Sequence, residues 1–324
     1  MTSDRNVPGR GEGSLQSEHF PMMPGILELG VREADGAAET RNAGPAMMKD
    51  SFVLTSEEGL PIFGEVWLGS GGRNLPSIVL CHGFQGFKDW SFFPHLAESL
   101  VGRGFAVVSF SMSRCGVSQH ADRFDRLDLL EHGTLSSDLA DLATVLGAVF
   151  EGTLPGSRMF DLSKVALLGH SRGGATALLM ARRNPRIASL VTWGAPARLL
   201  RADQKVVERW RREGHLTVPG MWSGQPIRVG TAFLDDLDRN KYELLEAISA
   251  LPIPYLILHG KADDIVPPSE AEELYDAAPI DGVEVIWIPG ADHNFGAAHP
   301  FTGTNSALEE AISLSRDFLH DTLY

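Results

Sequence analysis

The sequence predicts an α/β fold in which a mostly parallel sheet of eight strands carries helices on both faces. Short apolar runs, such as residues 77–81 and 187–193, have the length and composition of strands that are covered on both faces. Longer stretches with apolar residues at helical spacing, such as residues 134–150, separate these runs. A hairpin followed by alternating strands and helices is typical of a sheet built from parallel crossovers.

The first two strands are predicted to form a hairpin, because apolar runs at 52–54 and 62–67 flank a turn at Glu58 and Gly59. Further strands are predicted from apolar runs at residues 77–81, 105–110, 164–168, 187–193, 255–259 and 283–288. Helices are predicted between and after them at residues 92–102, 134–150, 174–181, 269–278 and 306–319. Strands and helices therefore alternate along most of the chain.

Two segments depart from this alternation. Residues 1–48 are rich in Gly, Pro, Ser, Glu and Arg without sustained periodicity, and we expect a mostly disordered tail. Residues 49–324 then form the folded domain. Between residues 193 and 255 no strand is predicted, whereas 199–213 and 231–251 have helical character. We expect an insertion at about 197–250 that forms a small helical cap over the ends of the strands.

Composition limits the partners and the compartment. The 324 residues carry a formal net charge of −14, which argues against nucleic acid and anionic membrane surfaces as partners. Only Cys81 and Cys115 are present, so we expect reduced thiols and a cytoplasmic location. No signal peptide and no transmembrane run of 18 apolar residues is apparent. Metal-ligand spacings and phosphate-binding loops are also absent from the sequence, so no metal and no cofactor is expected.

Residues 169–173 read Gly-His-Ser-Arg-Gly and lie between a predicted strand and a predicted helix. A Gly-x-Ser-x-Gly pentapeptide at a strand-to-helix junction is typical of a nucleophile elbow, a strained turn that exposes the serine hydroxyl. The bare pattern also fits a glycine-rich loop with Ser171 as an ordinary helix cap. The neighbouring strand and helix favour the nucleophile.

A serine nucleophile needs a general base, and the base needs an orienting acid. Asp263 follows the predicted strand at 255–259 in the spacing His-Gly-x-x-Asp-x-x-Val-Pro, with the adjacent Asp264 as the alternative acid. His293 follows the last predicted strand directly, whereas His299 and His320 lie further along the chain. The predicted triad is therefore Ser171, Asp263 and His293.

Two backbone N–H groups should stabilise the oxyanion that forms during acyl transfer. The residue after the nucleophile, Arg172, supplies one, and the helix that begins there adds its positive dipole end. The other is expected from the loop after residues 77–81, at Phe84 or, alternatively, at Gln85. Aromatic and apolar residues near these loops are candidates for the substrate pocket: Trp90, Phe92, Phe93, Met221 and Trp222.

Taken in order, these motifs resemble the α/β-hydrolase superfamily over residues 50–322. The run from His82 to Lys88 and the insertion make the chain most similar to the dienelactone-hydrolase-like and feruloyl/cinnamoyl-esterase-like branch. Dienelactone hydrolase itself uses a cysteine nucleophile, whereas this chain has Ser171. The resemblance implies a serine hydrolase that cleaves small-molecule carboxylic esters through an acyl-enzyme. A serine peptidase, thioesterase or amidase with the same triad, and a non-catalytic ligand-binding protein, remain alternatives.

Overall fold

The computed structural model describes residues 47–118, 124–221, 223–279 and 281–324. Most of the predicted tail, and Trp222 among the predicted pocket residues, lie outside these ranges. Met47 and Met48, which we placed in the tail, instead open the first strand, because they pair with Gly69 and Leu68 of the second. The folded domain therefore begins slightly earlier than predicted.

The strands in the described residues are β1 (Met47–Thr55), β2 (Pro61–Gly69), β3 (Leu75–Cys81), β4 (Ala106–Phe110), β5 (Phe160–His170), β6 (Ile187–Trp193), β7 (His215–Val218), β8 (Ile227–Gly230), β9 (Tyr255–Gly260) and β10 (Val283–Ile288). Eight of them form one sheet in the order β1-β2-β4-β3-β5-β6-β9-β10. The β1–β2 and β2–β4 pairs are antiparallel, and the other pairs are parallel. The predicted mostly parallel sheet of eight strands is confirmed.

The helices are α1 (Phe93–Gly102), α2 (Leu127–Glu131), α3 (Leu135–Glu151), α4 (Arg172–Arg183), α5 (Gln204–Glu213), α6 (Ala232–Asn240), α7 (Leu244–Ser249), α8 (Pro268–Ala277) and α9 (Ser306–Leu323). Helix α3 shows how local sequence sets the boundaries. Thr134 closes a capping box with Ser137 at its start, and Gly152 ends it in the left-handed conformation that glycine adopts readily. None of the described helices is long and apolar enough to cross a membrane.

The core lies on both faces of the central strands. Every residue of β3, β4 and β9 is buried, which explains why their sequences are nearly continuous apolar runs rather than alternating ones. Parallel strands end at the same edge of a sheet, so the loops after β3, β5, β9 and β10 meet there. That edge carries the predicted site residues.

The insertion between β6 and β9 forms a cap from α5, α6 and a two-stranded antiparallel sheet of β7 and β8, whereas α7 packs against the main core. Our expectation of no strand in this segment was wrong. Each strand has only four residues, and the intervening Pro219, Gly220 and Gly224 interrupt any alternating pattern. The cap has its own small apolar core, which consists of Trp210, Val229, Phe233 and Leu234.

Candidate active site

The turn between β5 and α4 places Ser171 at the strand-end edge of the sheet. Ser171 adopts φ 55° and ψ −127°, a strained conformation for a residue with a side chain, and its N–H donates to the carbonyl of Trp193 at 2.8 Å. A Cβ atom at Gly169 would lie 2.4 Å from the carbonyl oxygen of Gly173, and one at Gly173 would lie 2.4 Å from that of Cys81. The two glycines are therefore required by close backbone approach.

His293 lies in the loop after β10 and links the serine to the acid. Its Nε2 atom is 2.9 Å from the Ser171 hydroxyl oxygen, and its Nδ1 atom is 2.8 Å from Oδ2 of Asp263. An ionised carboxylate only accepts hydrogen bonds, so Nδ1 carries the proton and Nε2 offers its lone pair to the Ser171 hydroxyl. The imidazole is thus oriented to take the serine proton.

Asp263 is buried and accepts hydrogen bonds from several directions. Its Oδ1 atom accepts from the N–H groups of Ile265 at 3.0 Å and Val266 at 2.8 Å. Burial by itself raises the pKa of Asp263, but hydrogen bonds from His259 and His293 outweigh it and hold this pKa well below its usual range. The alternative acid Asp264 is exposed. The structure therefore brings Asp263, rather than Asp264, into contact with His293.

Sequence reasoning missed the part that two other histidines play in this arrangement. His259 Nε2 lies 2.9 Å from the carbonyl oxygen of Val266 and 3.3 Å from Oδ2 of Asp263. His170 Nε2–H donates to the backbone carbonyl of His293 at 2.9 Å and ties the base loop to the elbow. Burial, with a smaller effect from nearby His293, lowers the pKa of His170 to about 3, so this ring stays neutral. In the sequence, the nearness of these two histidines to Ser171 and Asp263 was the only indication that they belong to the site.

The loop after β3 lies against the nucleophile. A Cβ atom at Gly83 would lie 2.9 Å from Cβ of Ser171, so this backbone approaches the serine as closely as the chain allows. Within the described residues, the N–H groups of Phe84 and Arg172 donate to no acceptor. The Arg172 guanidinium lies over the Phe84 ring and pairs through Nε with Oδ2 of buried Asp138 at 2.9 Å. The side chains of the two predicted oxyanion donors therefore pack on each other.

A cavity of about 450 Å³ opens beside Ser171 and His293, and the cap forms its far wall. Trp90 and Met221 line it, as do cap residues that the sequence did not indicate, among them Trp210, Leu216, Val229 and Phe233. Phe92 and Phe93 are buried in the main core instead. The charged side chains on the described wall are arginines, namely Arg172, Arg198 and Arg201. Apolar side chains from the cap and these arginines therefore share the wall of the cavity.

The remaining candidates for the base do not reach Ser171. His299 Nδ1 accepts from the backbone N–H of Ser91 at 3.1 Å, and His320 stacks on Tyr324 at the end of α9. In the described part of the chain, no group of three or more His, Cys, Asp or Glu side chains is arranged to hold a metal ion. The chemistry that this geometry supports is nucleophilic attack by Ser171.

Comparison with known proteins agrees with this geometry. A family model described as the alpha/beta hydrolase family matches residues 78–307. The chain belongs to the α/β hydrolase family. Serine hydrolase BPHL of Mus musculus is 26% identical over 237 residues, which cover 69% of this chain and 75% of that relative.

Solved structures of other proteins share the fold. Est1E from Butyrivibrio proteoclasticus superposes with a TM-score of 0.61 at 17% identity and covers 84% of this chain and 98% of its own. Dienelactone hydrolase from Anabaena variabilis superposes with a TM-score of 0.56 at 16% identity and covers 86% of this chain and 99% of its own. The predicted resemblance to esterases and dienelactone-hydrolase-like proteins is confirmed, and the protein is a hydrolase.

Proposed function

We propose that this α/β hydrolase cleaves carboxylic esters of small molecules that carry a sizeable apolar group. The observation that carries the proposal is the continuous chain of hydrogen bonds from Asp263 through His293 to Ser171. The two donor–acceptor distances are 2.8 Å and 2.9 Å. The mostly apolar cavity beside Ser171 supports the choice of an apolar substrate.

In the first half of the reaction, the Ser171 hydroxyl oxygen attacks the ester carbonyl carbon while its proton passes to Nε2 of His293. The N–H groups of Phe84 and Arg172 hold the oxyanion, and the start of α4 adds its dipole. When the tetrahedral intermediate collapses, the carbon–alkoxide bond breaks, and His293 returns the proton to the departing alcohol. The acyl group stays on Ser171.

In the second half, water attacks the acyl-enzyme while His293 takes a proton from it. The bond from carbon to the Ser171 oxygen then breaks, His293 gives the proton back to that oxygen, and the acid leaves. Throughout, Asp263 holds the imidazole in the required orientation and stabilises its cationic form. Its low pKa, held down by His259 and His293 against the effect of burial, keeps the carboxylate ionised.

The test compares the wild-type protein with Ser171→Ala on nitrophenyl esters of graded acyl length, a feruloyl ester, and matched thioester and amide substrates. We expect the wild type to prefer esters with a bulky acyl group and Ser171→Ala to lose this activity. Ser70→Ala, at an exposed serine in the turn after β2, is the matched control and should behave as wild type.

A fluorophosphonate probe that labels Ser171 tests the nucleophile independently of substrate. Labelling with faster cleavage of the thioester or the amide would replace the ester proposal by one of those activities. Failure of the folded wild-type protein to label would contradict catalysis altogether and favour a ligand-binding role.

A further inference from the structure

Gln85 occupies an unusual backbone position beside the proposed oxyanion donor. The loop turns tightly, since the N–H of Gly86 donates to the carbonyl of Gly83 at 3.1 Å. Within this turn Gln85 has φ 60°, in the left-handed region that glycine and asparagine adopt more readily than other residues. A glutamine held there against its preference indicates that its side chain is needed.

The side chain of Gln85 is buried and binds the cap. Its Nε2 atom donates to the carbonyl of Pro219 at 3.1 Å, and its Oε1 atom accepts from the N–H of Met221 at 2.9 Å. Both ends of the amide are therefore occupied by the backbone of one cap loop. Because one partner only accepts and the other only donates, the orientation of the amide is determined by its partners.

The two residues that precede Gln85 face the nucleophile and the cap. Gly83 packs against Ser171, and the N–H of Phe84 is the proposed second oxyanion donor. The Phe84 ring also packs against the small apolar core of the cap. One turn of four residues thus contacts the nucleophile through its backbone and the cap through two consecutive side chains.

We propose that Gln85 is a positioning residue that couples the cap to the oxyanion loop. The cap loop at 219–221 must be seated on the Gln85 amide for the Phe84 N–H to point at the oxyanion. This inference rests on the proposed function for its kinetic consequence, but its structural part does not depend on the substrate.

The test uses Gln85→Gly, with Gln85→Asn as a second variant. Glycine relieves the left-handed backbone and removes the bridge, whereas asparagine tolerates this conformation but is one methylene too short to reach both partners. The control is Asn74→Gly, which makes the same kind of change at an exposed residue with φ 52° away from the site.

We expect Gln85→Gly to unfold at the wild-type temperature or above and yet to lower kcat by about tenfold or more on both an acetyl ester and a long-chain ester. Gln85→Asn should show the same loss, and Asn74→Gly none. An unchanged kcat on the acetyl ester, with only KM for the long-chain ester raised, would overturn the coupling, because Gln85 would then merely hold the cap.

Hydrogen exchange separates this inference from the proposed function. In Gln85→Gly, the backbone amides of residues 83–86 and those of the non-proline residues in 217–221 should exchange faster together, whether or not any ester is cleaved. Faster exchange confined to 217–221 would contradict the coupling. If the wild-type protein cleaves no ester but both segments exchange faster, the ester proposal fails and the coupling stands.

Discussion

The strand-end site and the cap are stabilised by different interactions. At the strand ends, Asp263, His293 and His170 are buried and bound to backbone or to one another. The cap has a separate apolar core around Trp210, and many of its ion pairs are exposed, including those of Arg211 with Asp235 and Asp238. Exposed pairs contribute little to stability, so we expect the cap to be less stable than the strand-end site.

Because of this difference, we expect different parts of the molecule to determine the reaction and the choice of substrate. The groups that we propose for attack on a carbonyl are placed by the main sheet, whose core is continuous around them. The groups that line the cavity beyond Ser171 come largely from the cap. Changes at the strand ends should therefore affect every substrate or the whole fold, whereas changes in the cap should affect some substrates more than others.

The largest effect is expected from Asp263→Asn, which replaces the carboxylate that binds His293. An amide keeps the shape but no longer fixes the His293 tautomer or stabilises its cation, so kcat should fall by about 10⁴-fold. Steady-state kinetics on short and long esters measure it. A loss confined to long esters would contradict the separation of chemistry from selectivity, because the described hydrogen bonds of Asp263 are with residues of the loops after β9 and β10.

Gly173→Ala should disrupt the packing of the nucleophile turn against the loop after β3. The added carbon would lie 2.4 Å from the carbonyl oxygens of Cys81 and His82. Relief of this overlap requires the backbone itself to move, which costs more free energy than a side-chain rotation. We expect the free energy of unfolding to fall by about 1–3 kcal/mol or more. The matched change is Gly147→Ala within α3, where nothing lies within 4 Å of the added carbon.

That control should instead raise the free energy of unfolding by about 0.5–1 kcal/mol, because alanine favours the helix. Urea denaturation of both variants measures the difference. Equal effects of the two substitutions would show that close approach at the elbow is not what requires Gly173.

The same contrast explains how much the sequence could predict. Each strand that ends at the site contains a mostly apolar run followed by a short loop, so the candidate residues Ser171, Asp263 and His293 could be proposed from neighbours in the chain. The cap could not be located in this way. Among the described strands, β7 and β8 are four residues each and pair only with each other, and the stacking of Trp210 on Phe233 joins residues that no local pattern connects.

Gln85 and His170 show a second limit. Both lie inside motifs that were recognised, but their partners are distant backbone groups, at Pro219 and Met221 for one and at His293 for the other. A backbone partner leaves no residue-type signal in the sequence. Positions of this kind become visible only when the chain is folded.

Acid should destabilise the strand-end region through His170, whose pKa burial lowers from an ordinary value of 6.5 to about 3. The unfolded chain binds this proton and the folded chain does not, so stability is full above about pH 6.5 and falls as the pH drops towards 3. The slope is about 1.4 kcal/mol per pH unit for one proton.

His170→Gln removes this titration while keeping an N–H donor. We expect the variant to be less stable than wild type at pH 7 but to lose less stability between pH 6 and pH 4. Chemical denaturation at each pH, with Ser70→Ala as a control that changes no titratable group, measures both slopes. Parallel slopes for His170→Gln and wild type would show that a charged His170 is tolerated in the fold.

The smallest of these effects is expected from Trp210→Ala, which breaks the cap without touching the strand ends. Trp210 is buried, stacks on Phe233 with ring centroids 6.1 Å apart, and lines the cavity. Its loss should raise KM for a bulky ester by about tenfold, because a contact of roughly 1.4 kcal/mol is removed, and should leave kcat for an acetyl ester near wild type. Trp210→Phe, which keeps an apolar ring in the same place, should recover most of the KM. An equal loss of kcat on both esters, with Ser171 no longer labelled by the fluorophosphonate, would mean that the cap core supports the chemistry itself, and the two regions would have to be treated as one.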